Sequence, residues 1–324
     1  MAQRHHRGAT AEAGYDPIRR VRHEEAAALL ACAYAKWTGR LCVRLATSGP
    51  GGIHLLNGLY DAKHDRQPLL AITGLQFHSL IDTHTQQDVE FDRRVADVCV
   101  YNTRIMSPAH GESSVTSSCR SALAYRGATH VTMAFDLQSQ SPRSDSRSER
   151  NVPSHVSGLM AEGVHVPTED QIARAAAILN EGLKIAILAG RDALGAQAGI
   201  ETVGERLDVP VIKPLLAKSV LPDDHPFTTG GIGLLGTALS QEALVGCDTL
   251  LIIGPSFPCI EYYPKPGKAT CVQIELDPRR VSLGYPVDAA LVGDARRVLQ
   301  VLLPRLDHHQ DRSFLETAQK GMQD

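Results

Sequence analysis

Across 324 residues, 33 lysines and arginines stand against 36 aspartates and glutamates, a net charge of −3 with no basic concentration, which argues against a nucleic-acid partner. The 43% hydrophobic share is enough for two ordinary domains, no apolar run approaches the roughly 18 residues of a membrane span, and residues 1–16 lack the apolar centre of a signal peptide. Seven cysteines, odd in number and without a CxxC pair, read as reduced core thiols of a cytoplasmic protein; among 14 histidines, His5-His6 and His308-His309 lie in polar terminal segments, so no metal site is expected.

The leader over 1–16 is polar and offers nothing periodic to bury, so it is expected to be disordered. Folding is expected to begin near Pro17, with Ile18 and Val21 in a short apolar strand. The pattern then predicts a helix over 23–37, a strand over 41–46, a glycine-rich turn, a helix over 53–63, strands over 68–73 and 97–105, a helix over 112–126 and a strand over 130–136. Ser, Arg and Pro then accumulate, which places a linker over 141–166 between domains over 17–140 and 167–305. The second domain reads as helix 168–181, strand 184–189, helix 193–207, strand 209–213, helix 237–245, strands 249–253, 271–275 and 289–292, and helix 294–303. A polar tail over 306–324 has no evident packing partner. Short apolar strands alternating with helices make the chain α/β, with two doubly wound, mostly parallel sheets.

Three constellations carry candidate chemistry. In Arg22-His23-Glu24-Glu25 the carboxylates fall in the first turn of a helix, where they match the helix dipole with or without a ligand; a strand-to-helix junction is also where such folds bind ligands. In Thr47-Ser48-Gly49-Pro50-Gly51-Gly52, small residues before a helix leave backbone N–H groups open to a closely approaching group. No Gly-Lys-Ser/Thr follows, so it is not a Walker loop. In the second domain Gly231 to Gly236 formally matches GxGxxG, but it follows what reads as a loop over 225–229, not a buried strand. Better placed are strand ends: Gly190, then Gly254-Pro255-Ser256-Phe257, then Glu275-Leu276-Asp277-Pro278, where Asp277 could take a ribose hydroxyl or simply cap a turn.

In this order the pieces resemble the thiamine diphosphate enzymes of the pyruvate oxidase and acetolactate synthase group. The matching runs are VRHEEAAALLACAYAKWTGR and LATSGPGGIHLLNGLYDAKHDRQPLLAITG, then TTGGIGLLG, IIGPSFP, IELDP and LVGD. The resemblance implies a pyrimidine-binding domain followed by a Rossmann-like central domain that often holds FAD, though relatives without flavin share that fold. It implies that Glu24 is catalytic, hydrogen-bonding the aminopyrimidine ring nitrogen so that the coenzyme can lose its thiazolium proton and act on a 2-keto acid such as pyruvate. Burial should raise the Glu24 pKa and the helix N-terminus lower it, with burial expected to win once cofactor is bound. Gly49, Pro50 and Asn57 would line the pyrimidine. Gln86 would face substrate, although the family's Phe-Gln-Glu reads here Thr85-Gln86-Gln87. Gly190, Gly231, Gly233, Gly254, Pro255, Ser256, Phe257, Asp277, Pro278, Arg279, Arg280 and Asp294 match the nucleotide-binding stretches.

The family's third domain holds the diphosphate through Mg2+, and its hallmark, Gly-Asp-Gly followed by Asn, occurs nowhere in the 324 residues; Gly293-Asp294 continues with Ala295. The family's opening strand and helix would precede Ile18, so one sheet edge is expected to be uncovered. The chain is therefore expected to be inactive alone, a homo-oligomer needing a separate chain for the diphosphate. The alternative is a non-catalytic nucleotide-binding or dimerisation module from a truncated gene. An NAD-dependent dehydrogenase is the remoter reading, since GxGxxG lacks its preceding strand and the acid roughly 20 residues on.

Overall fold

Alanine spacing builds the first helix. In the computed structural model, which describes residues 19–141, 147–152, 155–160 and 163–320, α1 runs Glu24–Thr38 and buries Ala27, Ala28, Ala31, Cys32 and Ala35 on one face. His23, extended at φ −141° and ψ 136°, caps its start by accepting the Glu25 N–H, and Gly39 in the left-handed region closes its end on the Ala35 carbonyl. The leader over 1–16 and Ile18 lie outside the described residues. Val21 is 44% exposed and 19–23 form no strand, so the short strand expected before α1 is absent there.

The chain divides into two units, Met1–Glu162 and Gly163–Asp324. In the first, α1 is followed by β1 (Cys42–Ala46), α2 (Pro50–His54), α3 (Leu56–His64), β2 (Leu69–Leu75), α4 (Phe91–Arg94), β3 (Tyr101–Ile105), α5 (Pro108–Tyr125) and β4 (Ala128–Ala134). The four strands form one all-parallel sheet in the order β1-β2-β4-β3, with Cys42 opposite Leu69, Leu69 opposite Ala128 and Tyr101 opposite Thr129. The helix expected over 53–63 is two helices meeting at Leu55. The strand expected from 97 starts only at Tyr101, because 97–99 turn under the sheet and bury Val98.

α3 crosses α1 at Gly58, where a Cβ would stand 2.4 Å from the Ala28 Cβ and 2.5 Å from the Ala28 carbonyl carbon. Backbone cannot yield as a side-chain end can, so Gly58→Ala forces the two helices apart. It should destabilise the first unit by about 1–3 kcal/mol despite the better helix propensity of alanine, read as a lower urea midpoint; a neutral result would show that the contact is slack.

The second unit contains α6 (Glu169–Glu181), β5 (Ile185–Ala189), α7 (Gln197–Leu207), β6 (Val211–Pro214), β7 (Thr228–Ile232), α8 (Ala238–Gly246), β8 (Thr249–Ile253), β9 (Thr270–Glu275), β10 (Ala289–Val292), α9 (Ala295–Leu302) and α10 (Ser313–Gln319). Its six strands form a second all-parallel sheet, β10-β9-β8-β5-β6-β7. Every residue of β5 and β8 is buried, as expected of strands covered on both faces. Two expectations are corrected. Gly231 lies in a strand, not after a loop: β7 pairs with β6 through Lys213 opposite Gly231, and its TTGGI sequence has no apolar alternation to announce it. The tail is packed, since α10 buries Leu315 completely and Ala318 to 8% exposure. Among the described residues no helix is long and apolar enough to cross a membrane.

Candidate cofactor site

Glu24 opens α1, and the glycine-rich turn and the helix it starts bring Gly51 and His54 to it. α2 starts at Pro50 behind Gly49, which takes φ 67° and ψ −129°. A Cβ on Gly51 would lie 3.4 Å from Glu24 Oε1 and 2.8 Å from Thr47 Cγ2, so glycine is what lets the α2 backbone come up beside the carboxylate. His54, the last residue of α2, places Nδ1 3.2 Å from Glu24 Oε2, and its ring stacks on that of His23 with centroids 4.5 Å apart. The neighbouring Glu25 is held aside, accepting from Asn57 Nδ2 at 2.5 Å.

The Glu24 side chain is 37% exposed, which leaves the carboxylate open to a ligand. Its pKa is lowered by its own backbone N–H and by the His54 bond, with partial burial opposing and the charges of His54 and His23 adding to the fall. In the chain by itself the N-terminal position therefore wins over burial. An upward shift has to come from whatever covers the carboxylate.

Pro50 is exposed on the same turn, and Asn57 lies one helix further on, engaged with Glu25. Gln86 is exposed, and its carbonyl accepts from Gln76 Nε2. The residue brought against the glycine turn is its neighbour Gln87. At φ 65°, Gln87 lies so close that a Cβ on Gly49 would meet its Cβ at 2.7 Å, and its Oε1 accepts from Ser48 Oγ at 3.3 Å.

In the second unit the candidate residues gather at the carboxyl edge of the sheet, but several are already engaged. Gly190 and Gly254 exist for close approach: a Cβ on Gly190 would stand 2.1 Å from the Gly254 carbonyl oxygen. Ser256 Oγ accepts the Arg191 N–H at 3.1 Å, and Phe257 is buried with Tyr262 and Tyr263. Asp277 caps the turn Pro278–Arg280, accepting from Arg279 N at 3.0 Å and holding its guanidinium at 2.8 Å. Asp294 caps α9 through Arg297 N at 3.1 Å. Gly233, at φ 107°, follows β7 and faces the Phe257 ring. β7 is the edge strand of its sheet, and Gly254, not an acid, follows the next strand, so the GxGxxG run does not become a dinucleotide fingerprint.

Residues 11–93 match the model of the thiamine pyrophosphate enzyme N-terminal TPP binding domain, and residues 172–302 that of the thiamine pyrophosphate enzyme central domain. The chain belongs to the thiamine diphosphate enzyme family. It is 34% identical over 302 residues to the putative thiamine pyrophosphate-containing protein YdaP of Bacillus subtilis, covering 93% of this chain and 51% of the relative. It is 30% identical to the pyruvate oxidase of Lactiplantibacillus plantarum (90% of this chain, 47% of the relative) and 30% identical to a probable acetolactate synthase large subunit of Methanocaldococcus jannaschii (88% and 49%). The chain thus spans about half the length of these curated relatives.

The residues of the first unit fit the aminopyrimidine half of thiamine diphosphate. An accessible carboxylate stands beside a backbone face that a Cβ at Gly51 would crowd, and a planar ring needs those two things. Sequence reasoning named His23 and Gln87 only as neighbours of Glu24 and Gln86, without a role, and did not single out His54. For His54 the signal was its position at the end of the short helix that the glycine turn opens.

Proposed function

We propose that Glu24 grips the aminopyrimidine of thiamine diphosphate and that the assembled enzyme decarboxylates a 2-keto acid such as pyruvate, with oxidation through FAD or with carboligation. The observation that carries this reading is the open Glu24 carboxylate against Gly51 at the head of α1. The bound coenzyme supplies the electron sink that a 2-keto acid needs to lose CO2. Glu24 shares a proton with the ring nitrogen, which asks for a pKa nearer neutrality than it has in the bare chain; a ring laid over it supplies the missing desolvation. Gly49 and Pro50 shape the wall, and Asn57 keeps Glu25 from competing for the ring.

Mg2+ and the diphosphate are held by residues outside these 324, in the same polypeptide or in a separate chain, since Asp294 of the one Gly-Asp pair is spent on capping α9. Homo-oligomerisation is supported by the second apolar face of α1, where Leu30, Tyr34 and Trp37 are 52%, 43% and 91% exposed at helical spacing. FAD would lie along the carboxyl edge of the second sheet, where Gly190 and Gly254 let the ends of β5 and β8 pack backbone to backbone. The seven free cysteines suit the reducing cytoplasm.

The test is CO2 release from pyruvate by the purified 324-residue chain with Mg2+ and thiamine diphosphate, and again after adding a chain that carries the diphosphate-binding residues. Activity should appear only in the second mixture. Turnover by the 324 residues alone at an ordinary enzymatic rate of about 1–10³ per second would overturn the need for outside residues. Activity in neither mixture would favour a non-catalytic module. In the same preparation, failure of FAD to saturate at about 10 µM, a binding energy near −7 kcal/mol, would remove the flavin.

A further inference from the structure

Outside its coenzyme role, the head of α1 has the composition of a transition-metal site. His23, Glu24 and His54 each offer one ligand atom, and those atoms all lie within 4.8 Å of one another. One spacing, 3.2 Å between His54 Nδ1 and Glu24 Oε2, is close to the separation of about 3.4 Å between ligands in a tetrahedral zinc site with bonds near 2.1 Å. We propose that His23, Glu24 and His54 bind one divalent ion of the zinc class, with the remaining position left to water.

Three features set the class of ion. Two imidazoles and one carboxylate suit Zn2+, Co2+ or Ni2+, whereas Mg2+ and Ca2+ take oxygen sets that this cluster cannot supply. The side chains are open to an arriving ion, at 51% exposure for His23, 43% for His54 and 37% for Glu24. The parts are also pre-set. His23 and His54 already stack at 4.5 Å, and the Asn57 bond anchors Glu25, whose N–H holds His23 Nδ1 at 3.3 Å.

The ion would replace the proton shared between His54 and Glu24. The helix N-terminus opposes a cation, and the two carboxylates of the first turn offset that effect. Glu24 cannot serve a metal ion and a pyrimidine ring at once, so metal occupancy and coenzyme occupancy would exclude each other. The site itself stands whether or not the coenzyme reading holds.

The probe is Zn2+ or Co2+ alone, titrated into the reduced 324-residue chain in which His5, His6, His308 and His309 have been replaced by alanine to remove the terminal pairs. One ion should bind per chain, with a Co2+ spectrum of nitrogen and oxygen ligation and no thiolate charge-transfer band. His54→Ala and His23→Ala should each weaken binding at least about tenfold, as should Glu24→Gln, with circular dichroism unchanged. Absence of saturable one-to-one binding, a thiolate band, or affinity indifferent to His54→Ala would overturn the proposal. Because no coenzyme is present, failure here leaves the pyrimidine reading of Glu24 intact, and success does not depend on it.

Discussion

An enzyme assembled around the Glu24→Gln chain should decarboxylate pyruvate roughly 10²- to 10⁴-fold more slowly than one assembled around the natural chain. Glutamine has nearly the shape of glutamate and still fits beside Gly51, so α1 stays where it is. It can hydrogen-bond the ring nitrogen, but it cannot share a proton with it. The loss of a first-turn carboxylate costs the helix about 0.3–1 kcal/mol, whereas the expected rate loss corresponds to about 3–5 kcal/mol in the barrier. Misfolding therefore cannot account for the whole effect. The measurement is kcat with saturating coenzyme alongside KM for pyruvate, and the fall should lie in kcat. A variant that keeps its rate within about threefold would show that this carboxyl does not move the proton.

What was legible in the sequence followed from local chemistry. β5 and β8 are IAILA and TLLII, apolar runs whose five-residue length suits strands buried on both faces, and each occupies the span expected from the sequence or falls within it. The head of α1 was legible because two acids fall in the first turn of an alanine-rich stretch. β7 was hidden because TTGGI has neither alternation nor bulk; it becomes a strand only because β6 offers a free edge. α10 was hidden because seven residues with two buried positions give no periodicity to read. The partners of Glu24 were hidden for a different reason. His54 lies 30 positions away, and nothing local ties it to a carboxylate until the turn at Gly49 brings α2 back over α1. Likewise Gln87 lies 38 positions beyond Gly49, and no local pattern announces that it packs against the glycine turn.

Acid should loosen the first sheet before its carboxylates titrate, through His130. This residue is fully buried on β4, its Nδ1 2.8 Å from Asn102 Oδ1 on β3 and its Nε2 2.8 Å from Thr73 Oγ1 on β2, so it ties three neighbouring strands together. Burial pushes its pKa down from 6.5 to about 4, against a smaller opposing pull from the charge of Asp92. Since the folded value lies below the unfolded one, the unfolded chain binds the proton first as pH falls. The stability His130 contributes is therefore complete above pH 6.5 and is lost progressively down to pH 4, by roughly 3 kcal/mol at about 1.4 kcal/mol per pH unit. Glu24, whose pKa is lowered from 4.5, begins to lose its contribution only at the acid end of that window, and Asp136, lowered from 3.8, below it. Amide exchange across Ala128–Ala134, corrected for its intrinsic pH dependence, should show protection falling about a hundredfold between pH 6.5 and 4. His130→Asn keeps a donor and an acceptor but takes up no proton, so it should start less protected at neutral pH and then hold a nearly flat profile through the same window. If the variant declines as steeply as the natural chain, the acid sensitivity of this sheet belongs to some other group.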